Sequence, residues 1–251
     1  ISPIREWTTP LVESRGNPAL EPQFTNSFEV NYTRTTKIGS ITTGAFFRQI
    51  NDEISRVIYK NPDNANQDIL SYDNFDDNHA FGIEASANLK FNSWWSANLS
   101  ADSYFKTVRG TVQNANTGDQ ERAEADVTVF NARMNHNFTA TKKLRFNLFA
   151  MYRGRDLSLQ FDRSPMYRVD LGSTYTILKG KGSITARFND VFETMNFAFD
   201  GSIPYRQTGA FYWESQTVYI GFNYMFGGGK NKALQRKQRD ANETQGSGGM
   251  M

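Results

Sequence analysis

The sequence predicts an all-β protein, an antiparallel transmembrane β-barrel, and three observations carry that expectation. Residues 81–91 read Phe-Gly-Ile-Glu-Ala-Ser-Ala-Asn-Leu-Lys-Phe, apolar at every odd position and polar or Gly at every even one. Only a strand sends alternate side chains to opposite faces, so this segment has one oily and one wet surface. The pattern recurs along the chain, ending at Val218, Ile220, Phe222, Tyr224 and Phe226. Short turns also alternate with long polar loops, the rhythm of membrane barrels.

Composition agrees. Only 38% of the 251 residues are hydrophobic, whereas 14% are aromatic. A barrel needs apolar side chains on one face only, and aromatic girdles mark its two interfaces. No apolar run approaches the roughly 18 residues of a membrane-spanning helix. The absence of cysteine excludes a disulfide frame or a thiolate metal site. A net charge of +2 gives no footprint for a nucleic-acid partner. The basic cluster, Lys230, Lys232, Arg236, Lys237 and Arg239, lies in the tail.

Residues 1–23 carry Pro3, Pro10, Pro18 and Pro22 without sustained alternation and read as a loop segment. Phe28, Val30 and Tyr32 mark a first strand, which turns near residues 35–37. Ile41, Thr43, Ala45 and Phe47 mark the outward face of a second, with an expected continuation toward Tyr59. A polar loop over about 60–78 precedes the third strand, residues 81–91. A tight turn at Asn92 and Ser93 leads to the fourth, with Trp95, Ala97, Leu99 and Ala101 on one face. A polar stretch over about 112–124 is read as a loop. Phe130, Ala132, Met134 and Phe138 mark the fifth strand, and Leu144, Phe146, Leu148, Ala150 and Tyr152 the sixth, whose tail runs toward Phe161. Tyr167, Val169, Leu171, Tyr175 and Ile177 mark the seventh; a turn at 179–181 leads to an eighth with Ile184, Ala186 and Phe188. A connection over about 193–210 precedes the ninth.

Short turns follow the odd strands and long loops the even ones. Bacterial barrels put short turns in the periplasm and long loops outside, so the first strand descends from the cell surface and the ninth ends in the periplasm. Single-chain bacterial barrels have even strand numbers, and an open sheet would leave unpaired N–H and C=O groups in lipid. Nine strands therefore read as the C-terminal part of a larger barrel. The start of the chain lacks a signal-peptide pattern, which is read as processing or truncation of an exported protein.

Asn17-Pro18-Ala19-Leu20-Glu21-Pro22 before a Phe-Glu-Val strand resembles the NP-x-L-x-P start of TonB-dependent receptor barrels. Residues 46–54 (Phe-Phe-Arg-Gln-Ile-Asn-Asp-Glu-Ile) resemble the second strand of such barrels, and Phe81-Gly82-Ile83-Glu84 a G-x-E strand start. Arg187-Phe188-Asn189-Asp190-Val191-Phe192 resembles the penultimate D-x-F-(D/N) element, and residues 219–226 the closing strand. The Phe-Gly-Gly-Gly-Lys exit and Lys/Arg/Gln-rich tail resemble the outer-membrane β-barrel family of Bacteroidota. The resemblance implies about 22 strands, a plug and a TonB-contacting box upstream, and import of an extracellular ligand. The alternative is the same barrel as a non-transporting scaffold subunit of an outer-membrane complex. A soluble β-sandwich enzyme or carbohydrate-binding domain also alternates, but long strands with aromatic ends fit a bilayer better.

The expected partners are outer-membrane lipid, the remaining N-terminal strands and plug, and the barrel-assembly machinery, with TonB and a surface lipoprotein as further candidates. No cofactor, metal site or catalytic constellation is read, so no enzyme is expected. Tyr219, Phe222, Tyr224 and Phe226 are candidates for an assembly signal, recognised by strand addition, and equally for lipid-facing residues. Glu84, Asp102, Arg133, Arg145, Arg153, Arg168, Asp170 and Arg187 are lumen-facing candidates. The resemblance implies that they meet the plug; a substrate path is the other reading. Trp94 and Trp95 read as interfacial aromatics beside a short turn, with ligand stacking as the alternative. Trp213 is read as a third interfacial aromatic, at the start of the last strand on the outer side. Asp73, Asp76 and Asp77 offer oxygens of the kind Ca²⁺ takes but no EF-hand spacing, and read as a solvated loop. His79 and His136 show no metal spacing; His136 reads as an outward interfacial residue. Gly227-Gly228-Gly229-Lys230 lacks the P-loop pattern, and residues 227–251 read as a flexible basic periplasmic tail.

Overall fold

The computed structural model describes residues 9–64, 66–113, 119–203 and 205–226. Nine strands, β1 (Phe24–Thr36), β2 (Gly39–Asn51), β3 (Asn78–Lys90), β4 (Trp95–Gln113), β5 (Gln120–Thr139), β6 (Leu144–Arg153), β7 (Met166–Ile177), β8 (Gly182–Asn189) and β9 (Thr217–Tyr224), form one sheet. Neighbours in sequence are neighbours in space and every pairing is antiparallel. The all-β expectation and its nine strands are what the structure contains.

Side chains close the short turns. Asn92 Oδ1 accepts from the backbone N–H of Trp94 at 3.0 Å and Trp95 at 2.8 Å. Thr141 Oγ1 accepts from the N–H groups of Lys143 and Leu144. Between β7 and β8, Leu178 (φ 52°), Lys179 (φ 55°) and Gly180 (φ 93°) bend the chain through the left-handed region, as tight hairpins require.

The register assigns every residue to a face. One face carries Phe28, Phe47, Phe81 and Phe105 in a single cross-strand row. At the short-turn end of the same face, Trp95 lies opposite Phe138, itself opposite Phe146. Phe105 and Trp95 stand ten residues apart on β4, about 34 Å along a strand. With the usual tilt of about 35–45°, that spans about 24–28 Å of bilayer, the height of the apolar band of outer-membrane barrels.

The stretch over 112–124, expected as a loop, is corrected. The ladder of β4 and β5 runs without a bulge from Trp95 opposite Phe138 to Gln113 opposite Gln120, giving strands of 19 and 20 residues. The faces exchange chemistry on the way. In the lower part of β4 the odd positions are apolar but for Ser103; beyond Phe105 the apolar positions are Val108 and Val112. The formerly apolar face there carries Thr107, paired with Asp126, and Arg109, bonded to Glu124 at 3.0 Å. Strands can continue beyond the bilayer once their outward residues are hydrated and their inward residues find cover.

That cover comes from the long loops. The second strand ends at Asn51, where Asp52 takes φ 54°, so the expected continuation toward Tyr59 is instead a separate strand, Ile54–Lys60. It pairs with Asp68–Asn74 from within the expected polar loop, and Val12–Ser14 lies parallel on the far side. A second small sheet joins Asp156–Leu157, Asp162–Arg163, Asn196–Gly201 and Gln207–Tyr212. The resulting loop core packs Val57, Phe75 and Leu159 against Val108 and Val112, on the inward face of the sheet. Trp213 is also corrected: it precedes β9 in the connection after Tyr212 rather than starting the strand. Residues 1–8 and the expected tail at 227–251, with Gly227 to Lys230, lie outside the described residues.

Candidate functional site

The eight lumen-facing candidates share the polar face. Glu84, Asp102, Asn131 and Arg153 occupy one cross-strand row. Arg133, Met151 and Arg168 form the next, Phe149 and Asp170 a third, Gly172 and Arg187 a fourth, and Arg145 with Thr174 a fifth.

Their partners differ by strand. Asp102 accepts from Asn131 Nδ2 at 2.8 Å, and nearby Glu29 pairs with Arg48 at 3.2 Å. Asp170 is held by Arg168 Nε at 2.7 Å and accepts the Asp190 N–H at 2.8 Å. Among the described residues, Arg133, Arg145, Arg153 and Arg187 make no ion pair. Arg133 lies 6.0 Å and the paired Arg168 5.8 Å from the Phe149 ring centre, and Arg187 lies 5.4 Å from that of Tyr219. A cleft of about 400 Å³ opens between Arg133, Arg153 and Arg163. A second of about 350 Å³ lies between Arg145 and Arg187, with Thr174, Thr185 and Asn137 in its wall.

The four assembly-signal candidates do not share a face. Phe222 lies opposite Ile184 and Tyr224 opposite Gly182 on the apolar side, whereas Tyr219 lies opposite Arg187 on the polar side. Phe226 follows the strand and meets Tyr224 edge-on at 4.5 Å. Trp94 and Trp95 join an aromatic cluster at the short-turn end, where Trp95 stacks on Phe91 at 4.1 Å and donates its Nε1–H to His136 Nδ1 at 3.1 Å. His79 sits on β3 above the Phe81 row. Two of the acidic loop residues have protein partners: Asp73 accepts from the Tyr59 hydroxyl and Asp76 from Arg122.

Two features escape a strand-by-strand reading. Gln160, 2% exposed, accepts the Ile58 N–H at 2.7 Å and donates Nε2–H to the Ile58 carbonyl at 3.1 Å, tying together loops 102 residues apart. Asp190, fully buried with φ 45°, accepts from the Ser215 hydroxyl and from the backbone N–H groups of Thr194 and Met195. Burial alone would push its carboxyl up, but these hydrogen bonds together hold it below the usual range. The Arg-Phe-Asn-Asp-Val-Phe motif thus anchors the start of a loop. Tyr59 and Tyr205 are pushed up, by burial first and then by their bonds to Asp73 and Asp68.

Comparison with solved structures finds the ferric enterobactin receptor PfeA of Pseudomonas aeruginosa. A mutant bound to enterobactin is 15% identical over 85% of this chain and 33% of the receptor, with a TM-score of 0.46. The receptor in complex with BCV-L6 is 16% identical over the same shares, also with a TM-score of 0.46. The chain spans about a third of the length of these receptors. No curated protein matches it. The model of the outer membrane protein β-barrel family matches residues 1–224, ending on the last residue of β9, and the chain belongs to that family.

Proposed function

We propose that the chain forms the C-terminal strands, residues 24–226, of a larger outer-membrane receptor barrel of the Bacteroidota type that imports an extracellular ligand. The observation that carries this reading is the open two-faced sheet. One face has apolar girdles at bilayer spacing, the other is polar, and β1 and β9 each have a free edge among the described residues. In lipid a free edge costs several kcal/mol per unpaired group, so further strands must flank both. The polar face then lines the lumen, with the loop cap outside and the short turns and the tail in the periplasm. Pairing of Val12–Ser14 with Asp68–Leu70 supports an extracellular place for residues 1–23. TonB, a plug and the assembly machinery are the partners this reading requires, with Phe222, Tyr224 and Phe226 available to the machinery.

The cysteine-free sequence allows a direct test. Asn64→Cys in the loop cap should react with an impermeant maleimide on intact cells, and Thr141→Cys in a short turn only after the outer membrane is opened; the reverse would overturn the orientation. The native protein from outer membranes should have a denatured mass well above 28.6 kDa and yield plug and coupling-box peptides. A mass near 28.6 kDa would overturn the larger barrel, and plug-free peptides would overturn import in favour of the scaffold.

A further inference from the structure

The excess positive charge of the polar face is concentrated on β5–β8. From Asn131 downward, the polar face of β5–β8 carries Arg133, Arg145, Arg153, Arg168 and Arg187, and against them only Asp170, which Arg168 already holds. On β1–β4 the carboxylates Glu29, Glu84 and Asp102 share the face with Arg48, Lys90 and Lys106 and balance them. Arginine is normally found with a carboxylate or phosphate that its fork fits, yet four of these five have none within the described residues. Contact with Phe149 and Tyr219 orients three of the guanidiniums. A ring face leaves the charge in place and the N–H donors available.

The arginines also follow one another. Arg153 and Arg145 stand eight residues apart on β6, about 27 Å along the strand, and Arg133 and Arg187 occupy rows between them. The cleft between Arg145 and Arg187 holds hydroxyl and amide groups as well as guanidiniums, and the one beside Arg153 holds these together with the Asp102 carboxylate, which accepts from Asn131. Their size suits a solute bearing a carboxylate or a phosphate.

We propose that β5–β8 form a cationic track on the lumen wall, a series of weak anion sites that pass a carboxylate- or phosphate-bearing solute from the loop cap toward the periplasm. Conduction needs sites strong enough to admit an ion and weak enough to release it to the next, and single guanidiniums spaced along a wall provide that. The inference rests on the polar face being the lumen.

Thr174→Cys, beside Arg145 and near Arg187, reports the track in the full-length protein in opened outer-membrane fragments. The probes are a sulfonatoethyl and a trimethylammonioethyl thiosulfonate, with Asn64→Cys giving their intrinsic rates. The track predicts an anionic-to-cationic rate ratio at least about 10-fold above that at Asn64→Cys, slowing of the anionic reagent by millimolar inorganic phosphate, and a ratio near that of Asn64→Cys after Arg145→Gln and Arg187→Gln. Equal ratios at the two sites would overturn the proposal. So would a Thr174→Cys closed both to the two charged reagents and to a lipid-soluble maleimide, since the arginines would then be packed against protein. Reaction with the lipid-soluble maleimide alone would overturn the lumen assignment itself.

Discussion

Replacing Gln160 with leucine isolates the energy that holds the loop cap together. Strand Ile54–Lys60 is an edge of its small sheet, and at Ile58 the Gln160 amide stands where a neighbouring strand would. Both residues are buried, Ile58 at 9% and Gln160 at 2% exposure. Gln160→Leu keeps similar bulk but removes both bonds and leaves the Ile58 N–H and C=O without partners. An unsatisfied buried group costs about 1–3 kcal/mol. Two such groups, with some relief by water, give about 2–4 kcal/mol, equivalent to a 30- to 1,000-fold loss of protection at about 1.4 kcal/mol per tenfold. Hydrogen exchange of the purified protein in detergent, followed at peptides covering residues 54–60, reads this directly. Peptides from β6–β8 should be unchanged, because the opening is confined to the cap. Unaltered exchange at Ile58 would refute the claim that Gln160 joins the two loops, and a uniform rise across the barrel strands would refute the claim that the cap opens on its own.

Ile220→Arg puts a charge on the apolar face, at about 2–4 kcal/mol toward the bilayer midplane, and should prevent assembly into a heat-modifiable form. Tyr219→Arg, one residue away on the polar face, should assemble normally, and equal tolerance of the two would refute the assignment of faces. Gly82→Ala places a Cβ 2.5 Å from the Ser103 carbonyl and Tyr104 Cβ. The overpacking costs about 1–3 kcal/mol, read as a lower midpoint temperature of heat-modifiable mobility. Asp190 titrates below the usual carboxylate range in the folded state, so the unfolded chain binds the proton first and stability rises with pH. Its contribution is present above the ordinary carboxylate range and is lost as pH falls through the folded value. Asp190→Asn should therefore flatten the acid limb of a thermal-stability profile, and an unchanged limb would remove Asp190 from the account.

Within the bilayer, sequence alone determined the strands, their number and the face of each charged candidate, because period-two alternation is a local property that lipid on one side favours. The turns were legible for the same reason: Asn92, Thr141 and the 178–180 segment close hairpins with their own atoms. Beyond the Phe105 row the alternation persists but changes sign, and Val108 and Val112 point inward only because Val57, Phe75 and Leu159 arrive from distant loops to cover them. The same holds for Gln160 and Ile58, 102 residues apart, and for Asp190 with Ser215. No local pattern encodes such meetings. Arg168 finds its carboxylate two residues along its own strand, at Asp170, so that pairing is within reach of the sequence. The ring that faces Arg187 belongs to the neighbouring strand, at Tyr219, and only the register between β8 and β9 brings the two together.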